Sequence, residues 1–541
     1  MQTSKDASTN LILHEDVLWK ILLDITNEAL DPHPHLLSSI SQRPIVTVRH
    51  CSQVCRYWRS IILSSPSMWG RLIDVELLRR TTSDDWMKEV VRRAGGALLW
   101  VYGKIGEEYN RQDHFLFTFL RENWRRVEML FINDRHFTGN NPAHLECQKK
   151  MWSFLLEPAP RLRWFNFSLS YRSDTLLPGC LFADNAPLLT DFYICRYSCK
   201  FSTHSSWTTN LCSVTFSTAF TVDEVLMALP GMSRLVYLGV HIGQYRSQSS
   251  RWFARPTVIL PRLRTLDVCG YYGSAGTILQ CITPSADCRI SVIHEHMHDD
   301  FDLEPDRREY EEYEAAVAKF IAPCLSLHPP LAVVFYIGYI NTSVFYDVHG
   351  VPDLRFFRIS LHTPFVPSSF LMKEISNSAY SSQVRELRLR TWDGDDFGFP
   401  PLAPVSESIL LAFPCVTTLC TSDDVLHSLL EDPSIAASVL PALTILKISY
   451  PHLPNPGNFK EEEPPHHRYL RLCRAIGRPL SVLEISFPFS LIEEFYNMDY
   501  LEEHVGLLVK WDFGVHSSSV GYRCGDGHPE RLRFDLGNWF M

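Results

Sequence analysis

The chain has 541 residues, more than one compact core usually holds, so its length predicts two to four domains or one long repeat array. Apolar residues make up 45% of the chain, and the formal net charge of −10 argues against nucleic acid as the main ligand. The first ten residues contain no apolar signal core, and the longest apolar run, residues 331–340, is too short to cross a bilayer. Together with 15 cysteines, an odd number without a Cys-x-x-Cys pair, these features predict a soluble protein of the cytoplasm or nucleus.

Two amphipathic helices are predicted near the N-terminus, after a disordered tail over residues 1–10. In the first, residues 11–23, apolar side chains recur every three or four positions. A Pro- and His-rich loop over residues 31–44 is predicted to separate it from a second helix over residues 45–62. Pro66 ends the second helix, and Met68 and Trp69 are expected to follow as exposed apolar side chains.

The N-terminal residues 11–72 resemble an F-box. Leu13, Glu15, Leu18 and Ile21 have the spacing L-x-E-x-x-L-x-x-I, which is close to the F-box pattern L-x-E-x-L-x-x-I. Residues 52–69 read SQVCRYWRSIILSSPSMW, which is similar to the F-box-like proteins that are abundant in mushroom-forming fungi. There are two departures: His14 replaces the usual Pro, and the 14-residue loop lengthens the link between the two helices.

The resemblance implies that these helices pack into a hydrophobic groove on a Skp-type adaptor of a cullin-RING ubiquitin ligase. Carried over by position, the implied adaptor-binding residues are Leu13, Leu18, Ile21, Val54, Cys55, Trp58, Ile61, Met68 and Trp69. The chain would then be the substrate receptor of an SCF-type ligase, without a catalytic residue or cofactor of its own. The pattern alone leaves open a second interpretation, in which the helices are core elements of a larger domain and recruit no ligase.

An apolar phrase, Φ-x-x-Φ-x-Φ, recurs between residues 125 and 490. Its copies begin at Val127, Leu162, Leu189, Leu211, Leu235, Leu263, Leu354, Val384, Leu443 and Leu480, with a weaker copy at Val416. From Val127 to Leu263 the copies are 22 to 35 residues apart, which is typical of leucine-rich repeats. An ordinary α/β domain with apolar strands is the alternative.

The interval between the copies at Leu263 and Leu354 is predicted to contain two further strands, at residues 290–292 and 331–336. An inserted helix is expected between them, after Pro305.

The predicted fold class is therefore α/β. A helical F-box-like domain (11–75) and a helical linker (76–124) precede an irregular, leucine-rich-repeat-like solenoid of parallel strands with variable helices (125–490). A C-terminal cap covers residues 491–541.

Polar and aromatic residues between the core positions of the repeats are candidates for binding an unknown target protein. They are Trp164, Tyr237, Phe356, Arg358, Arg388 and Arg390. Arg388 and Arg390, expected beside Arg358 on a neighbouring strand, would suit an acidic motif or a phosphate.

One string could indicate an enzyme. His294, Glu295 and His298 match H-E-x-x-H, the zinc-binding helix of metallohydrolases. The string follows a strand-like segment and has no third ligand at a familiar spacing, so an acidic loop is expected, and neither a metal nor an enzyme is predicted. Turn or loop structure is also predicted for the Gly-rich residues 270–276 and for residues 451–467.

Overall fold

The computed structural model describes residues 14–27, 43–79, 85–105, 113–134, 152–169, 180–195, 200–242, 257–293, 307–327, 332–340, 343–351, 357–363, 378–391, 410–449, 463–487, 495–512 and 520–535. The protein is a mixed α/β structure that divides into two compact units, Met1–Gly243 and Gln244–Met541. Among the described residues, no helix is both long and apolar enough to cross a membrane.

The first unit begins with four helices. They are α1 (Glu15–Asn27), α2 (Pro44–Val54), α3 (Arg56–Leu63) and α4 (Pro66–Gly70). Helix α1 contacts each of the other three. The single helix predicted over residues 45–62 is wrong, because the backbone at Cys55 is extended (φ −156°, ψ 169°) and separates α2 from α3. Cys55 is the N-cap of α3, since its Sγ accepts the backbone N–H of Trp58 at 3.5 Å.

The described part of the first unit also contains seven strands and four further α-helices. The helices are α5 (Val75–Arg79), α6 (Asp85–Ala94), α7 (Asp113–Asn123) and α8 (Val222–Ala228). The strands are β1 (Ile73–Asp74), β2 (Leu99–Ile105), β3 (Val127–Asp134), β4 (Trp164–Leu169), β5 (Asp191–Cys195), β6 (Ser213–Phe216) and β7 (Tyr237–Ile242). Each strand pairs in parallel with the next one along the chain. The predicted linker over residues 76–124 thus contains β2, a strand that the sequence analysis did not predict.

The second unit has longer and more varied strand connections. Its strands are β8 (Val258–Leu260), β9 (Thr265–Gly270), β10 (Ile282–Pro284), β11 (Arg289–Ile293), β12 (Ala332–Ile340), β13 (Ser343–Val351), β14 (Phe357–Thr363), β15 (Glu386–Thr391), β16 (Thr418–Thr421), β17 (Ile445–Ser449), β18 (Val482–Ser486), β19 (Phe495–Asn497), β20 (Leu508–Asp512), β21 (Val520–Arg523) and β22 (Arg533–Asp535). Its helices are α9 (Tyr272–Cys281), α10 (Arg307–Leu327), α11 (Ser378–Ser381), α12 (Asp423–Leu429), α13 (Pro433–Ser438) and α14 (Pro465–Ala475).

Two parallel runs in the second unit are joined by a hairpin. Strands β9, β11 and β14 form one run, and β12, β15, β16, β17, β18 and β20 form the other. Strand β13 lies between β14 and β12 and is antiparallel to both. Strand β21 is antiparallel to β20, and two small sheets pair β8 with β10 and β19 with β22.

Every copy of the recurring apolar phrase ends within a strand, so the phrase predicts β3–β7, β9 and β14–β18 correctly. The last two apolar residues of a copy point to the same side and are buried, as Phe165 and Phe167 of β4 show. Phe165 stacks on Phe192 of β5, with 5.3 Å between the ring centroids. Burial of one strand face against the helices and connections therefore explains the repeated pattern.

The predictions for the interval after β9 have mixed outcomes. Strands β11 and β12 and helix α10 confirm the two extra strands and the inserted helix. The turn predicted at residues 270–276 is wrong, because most of it belongs to α9. A Cβ atom at Gly276 would lie 3.3 Å from the Cα of Tyr313, so the small residues serve close packing of α9 on α10.

Candidate functional site

The predicted docking element consists of α1–α4, and its residues divide between the interior and the surface. On α1, Leu18, Leu22 and Thr26 form the buried stripe. Ile21, a predicted anchor, is 46% exposed, and Val17, one turn earlier on the same helix, is 50% exposed. Helix α1 therefore keeps an apolar pair at the surface after its other face is buried.

The junction of α2 and α3 is also open to solvent. Val54 is 64% exposed, Cys55 and Tyr57 are exposed, and Trp58 is half-buried. Ile61, one turn after Tyr57, is buried. Val54 is the last residue of α2 and lies six positions after the buried Val48, which places it on a different side of the helix and explains why this apolar side chain remains outside.

Met68 and Trp69 are both buried, so the expectation that they are exposed is wrong. The Trp69 indole Nε1 donates a hydrogen bond to the Ile62 carbonyl at 2.8 Å. Its ring meets Trp86 of α6 edge-on at 6.3 Å, and the Arg93 guanidinium lies 4.6 Å from its centroid. The large indole fills space within the first unit, because α6 supplies both an aromatic and a cationic neighbour.

The nine predicted anchors therefore have different locations. Ile21, Val54 and Cys55 are exposed and Trp58 is half-buried, whereas Leu18, Ile61, Met68 and Trp69 are buried. Leu13 lies outside the described residues. Val17, Tyr57 and Leu63 are exposed apolar residues that the resemblance did not select.

A buried ion pair fixes these helices to the adjoining sheet. Arg43, the N-cap of α2, donates from Nη1 to both carboxylate oxygens of Asp74 on β1, at 3.1 and 2.9 Å. Its Nη2 donates to Glu76 at 2.8 Å. Asp74 Oδ1 also accepts the backbone N–H groups of Glu76 and Leu77 at 3.1 and 3.0 Å, so it caps α5 as well. The ion pair thereby fixes the start of α2 to β1 and to the start of α5.

Two predicted target-binding residues, Trp164 and Tyr237, lie in one row across the paired strands β4–β7 of the first unit. The register runs from Trp164 through Asp191 and Ser213 to Tyr237. On the other side, Trp164 follows Met129, and its ring meets that of Trp100 edge-on at 6.1 Å. Trp100, Tyr102 and Met129 on this side of β2–β4 are buried, and Phe131 and Trp164 are partly buried against them, so the aromatic and thioether cluster is largely covered.

The basic group expected in the second unit is not assembled. Strands β13 and β12 lie between β14, which carries Arg358, and β15, which carries Arg388, so the prediction that these strands are neighbours is wrong. The inserted hairpin is the physical reason. Arg388 Nε also pairs with Glu386 on its own strand at 2.5 Å. Phe356 and the side chains of Arg358 and Arg390 lie outside the described residues.

Arg388 instead begins a row of mixed charge. The register places Cys420, Lys447, Glu484 and Lys510 successively beside it. Lys447 Nζ lies 2.9 Å and Lys510 Nζ 3.4 Å from the Glu484 carboxylate. Burial, followed by the neighbouring carboxylate of Glu386, raises the pKa of the Cys420 thiol to about 12. Because these cations have carboxylate partners, the row is less suited to a phosphate than a basic cluster would be.

The H-E-x-x-H string at residues 294–298 lies outside the described residues. In comparisons with known proteins, no protein-family model matches the chain and no curated protein matches it either.

Proposed function

We propose that this chain is the substrate receptor of an SCF-type cullin-RING ubiquitin ligase. Helices α1–α3 would dock on a Skp-type adaptor, and the outward strand positions would bind a target protein. Such a receptor does no chemistry itself. It raises the effective concentration of a target lysine near the charged conjugating enzyme.

The observation that carries the proposal is the apolar surface left on α1–α3. Val17 and Ile21 share one face of α1, and Val54 and Tyr57 flank the α2–α3 junction, all exposed. Scattered single apolar residues are ordinary on a protein surface, but these lie on short helices that contact one another. An amphipathic helical element with unburied anchors suits a hydrophobic groove on a partner.

The proposed repeat array has separate support. Strands β1–β7 pair in parallel in chain order, and β15–β18 continue in the same manner. Stacked strand-and-return units of this kind would provide a leucine-rich-repeat-like solenoid with an extended binding face. The aromatic row around Trp164 and the mixed-charge row around Glu484 are the candidate target-binding positions.

A second function, a scaffold that recruits no ligase, is favoured by the burial of Met68 and Trp69. If α4 is core, part of the expected docking surface is already used within the chain. The two functions make different predictions for Val54 and Trp58, because only a ligase receptor would need these side chains to contact an adaptor.

The test is adaptor binding by the purified full chain. We expect Val54→Asp and Trp58→Ala each to weaken binding to a Skp-type adaptor by at least about tenfold, because interface anchors dominate affinity. Met227→Glu is the matched control, since Met227 is 73% exposed on α8 of the same unit. Circular dichroism would check that each variant is folded. Equal binding by wild type and both variants, or no binding by wild type, would favour the scaffold.

A further inference from the structure

A cluster of two histidines and two glutamates lies where the beginning of α14 meets the 3-10 segment Asp499–Glu503. The side chains of His467 and His504 are only 8% and 7% exposed. Glu463 precedes α14, and Glu503 is the last residue of the 3-10 segment. Ligand atoms of His467, Glu503 and His504 all lie within 4.8 Å of one another.

His467 faces a carboxylate at each ring nitrogen. Its Nδ1 lies 2.8 Å from Oε1 of Glu463, and its Nε2 lies 3.0 Å from Oε1 of Glu503. A neutral imidazole has one N–H, so it satisfies one carboxylate while its other nitrogen lone pair faces the second. Burial lowers the pKa of His467, although the two carboxylates act in the opposite direction, so the neutral ring is favoured. A cation between Nε2 and Glu503 would remove this conflict.

His504 supplies a second nitrogen at the same carboxylate. Its buried Nε2 makes no hydrogen bond within the described part of the chain and lies 3.6 Å from Oε1 of Glu503. Burial, with a smaller contribution from the neighbouring His467, lowers the pKa of His504 to about 4. A buried ring nitrogen without a hydrogen-bond partner in the described residues is available as a metal ligand.

We propose that His467 Nε2, His504 Nε2 and Glu503 Oε1 bind one divalent transition-metal ion of the Zn²⁺ type. Tetrahedral zinc with N and O ligands at about 2.0–2.2 Å separates its ligand atoms by about 3.3 Å. The distances from Glu503 Oε1 to the two nitrogens, 3.0 and 3.6 Å, lie on either side of that value. Two imidazoles and one carboxylate suit Zn²⁺ better than Ca²⁺ or Mg²⁺, which prefer oxygen ligands.

Glu463 has a supporting role in this site. A carboxylate at the Nδ1 of a metal-binding histidine fixes the tautomer and the ring orientation, and makes the other nitrogen a better ligand. The 2.8 Å distance from Glu463 Oε1 to His467 Nδ1 has this arrangement. Arg471 lies 3.5 Å from Glu503 Oε1 and donates from Nη1 to Glu463 Oε1 at 3.2 Å, so a bound ion would have to replace its contact with Glu503.

The residue before His467 holds the two halves of the site in position. His466 is fully buried, with Nδ1 2.8 Å from a carboxylate oxygen of Asp423 and Nε2 2.7 Å from the hydroxyl of Tyr500. Tyr500 belongs to the same 3-10 segment as Glu503. Because His466 links α14 to that segment, His467 and Glu503 are preorganised, and a bound ion would further cross-link them.

The experiment is metal titration of the full chain after chelator treatment. Calorimetry with Zn²⁺ should show one ion bound per chain, and Co²⁺ should give the intense visible absorption of a four-coordinate ion. We expect His467→Ala and His504→Ala each to weaken binding at least tenfold and Glu463→Gln to weaken it about tenfold. His427→Ala, at an exposed histidine of the same unit, is the matched control and should bind as wild type does.

Any of four results would overturn the proposal. One is the absence of binding at submillimolar Zn²⁺, and another is unchanged affinity in the His467 and His504 variants. The third is loss of the ion in a His294→Ala, His298→Ala double variant with the other variants unaffected, which would place the ion at the H-E-x-x-H string. If His504→Ala does not fold, His504→Gln takes its place, and a weak octahedral Co²⁺ spectrum from wild type would also contradict the site.

Discussion

Helices α3 and α4 follow one another in the chain, and each carries a tryptophan that resembles an F-box anchor. Trp58 of α3 remains half-buried beside the exposed Val54, whereas Trp69 of α4 is buried against Trp86 and Arg93. The sequence pattern predicts the same role for both tryptophans, that of an adaptor-binding residue. The structure separates them because α4 packs closely on α6, whereas α3 does not.

This contrast teaches that an apolar anchor in a docking motif has two possible uses. It either binds a partner or holds the docking element onto its own chain. In this protein α4 holds the element onto its own chain, so a change in α4 would disturb folding as well as the proposed binding of an adaptor. The α2–α3 junction is where binding can be tested without that complication.

The largest effect is expected for Trp69→Ala. Removing a buried indole leaves a cavity and takes one hydrogen bond from the Ile62 carbonyl, which keeps its bond from the Ser65 N–H, so unfolding of the first unit should become easier by about 4 kcal/mol. Native-state hydrogen exchange of the α4 amides would measure the change. Trp19→Ala is the matched control, because Trp19 is exposed on α1. Equal losses in the two variants would remove the distinction between buried and surface anchors.

The second-largest loss of stability is expected for Asp74→Ala. This change leaves the Arg43 guanidinium buried without its main carboxylate and removes the cap of α5, at a cost of about 3 kcal/mol. Chemical denaturation followed by tryptophan fluorescence would report it. Glu89→Gln, which breaks the exposed pairs with Arg92 and Arg93, should leave the midpoint unchanged. A smaller loss for Asp74 than for Glu89 would mean that the buried pair does not orient the docking helices.

The strands were predictable because their signal is local. Each copy of the phrase places two apolar residues on one side of a strand, and burial of that side forces the same spacing each time. Strand β2 lacks that spacing at its start, since Leu99, Trp100, Val101 and Tyr102 are all buried. A strand buried on both faces loses the alternation of apolar and polar residues, so the sequence of this region does not predict a strand.

The histidine cluster was not predictable, because its contacts are long-range. His466 meets Asp423, 43 positions earlier, and His467 meets Glu503, 36 positions later. In the sequence, the two histidines end a Pro- and charge-rich stretch that predicts a loop. Pro465 instead begins α14 and buries both of them at once. The expected exposure of Met68 and Trp69 is wrong for the same reason, since the burial of Trp69 depends on contacts with the distant α6.

A second comparison concerns the outward strand positions of the two units. The row around Trp164 is aromatic, whereas the row around Glu484 contains ion pairs with Lys447 and Lys510. Glu484→Gln should destabilise the second unit by about 1 kcal/mol or less, because these side chains are partly solvated. The loss should shrink in 1 M salt, measured by chemical denaturation. Glu431→Gln, at an exposed turn, is the control, and a salt-independent loss would show that the pairing is not electrostatic.

The smallest change to the protein, alkylation of one thiol, tests the docking surface most directly. Cys55 is exposed at the α2–α3 junction, next to Val54. Cys420 lies partly buried on the mixed-charge row, and burial raises its pKa to about 12, which leaves very little reactive thiolate at pH 8. Iodoacetamide at pH 8 should therefore modify Cys55 well before Cys420, as peptide mass spectrometry would show.

A bound Skp-type adaptor should slow alkylation of Cys55, because docking over Val54 and Cys55 would cover the thiol. Cys180, which is exposed outside the docking helices, serves as the internal control and should react at the same rate with and without adaptor. Protection of both thiols would indicate nonspecific shielding. Protection of neither, with adaptor bound, would place the adaptor on another surface and separate adaptor binding from the α2–α3 junction.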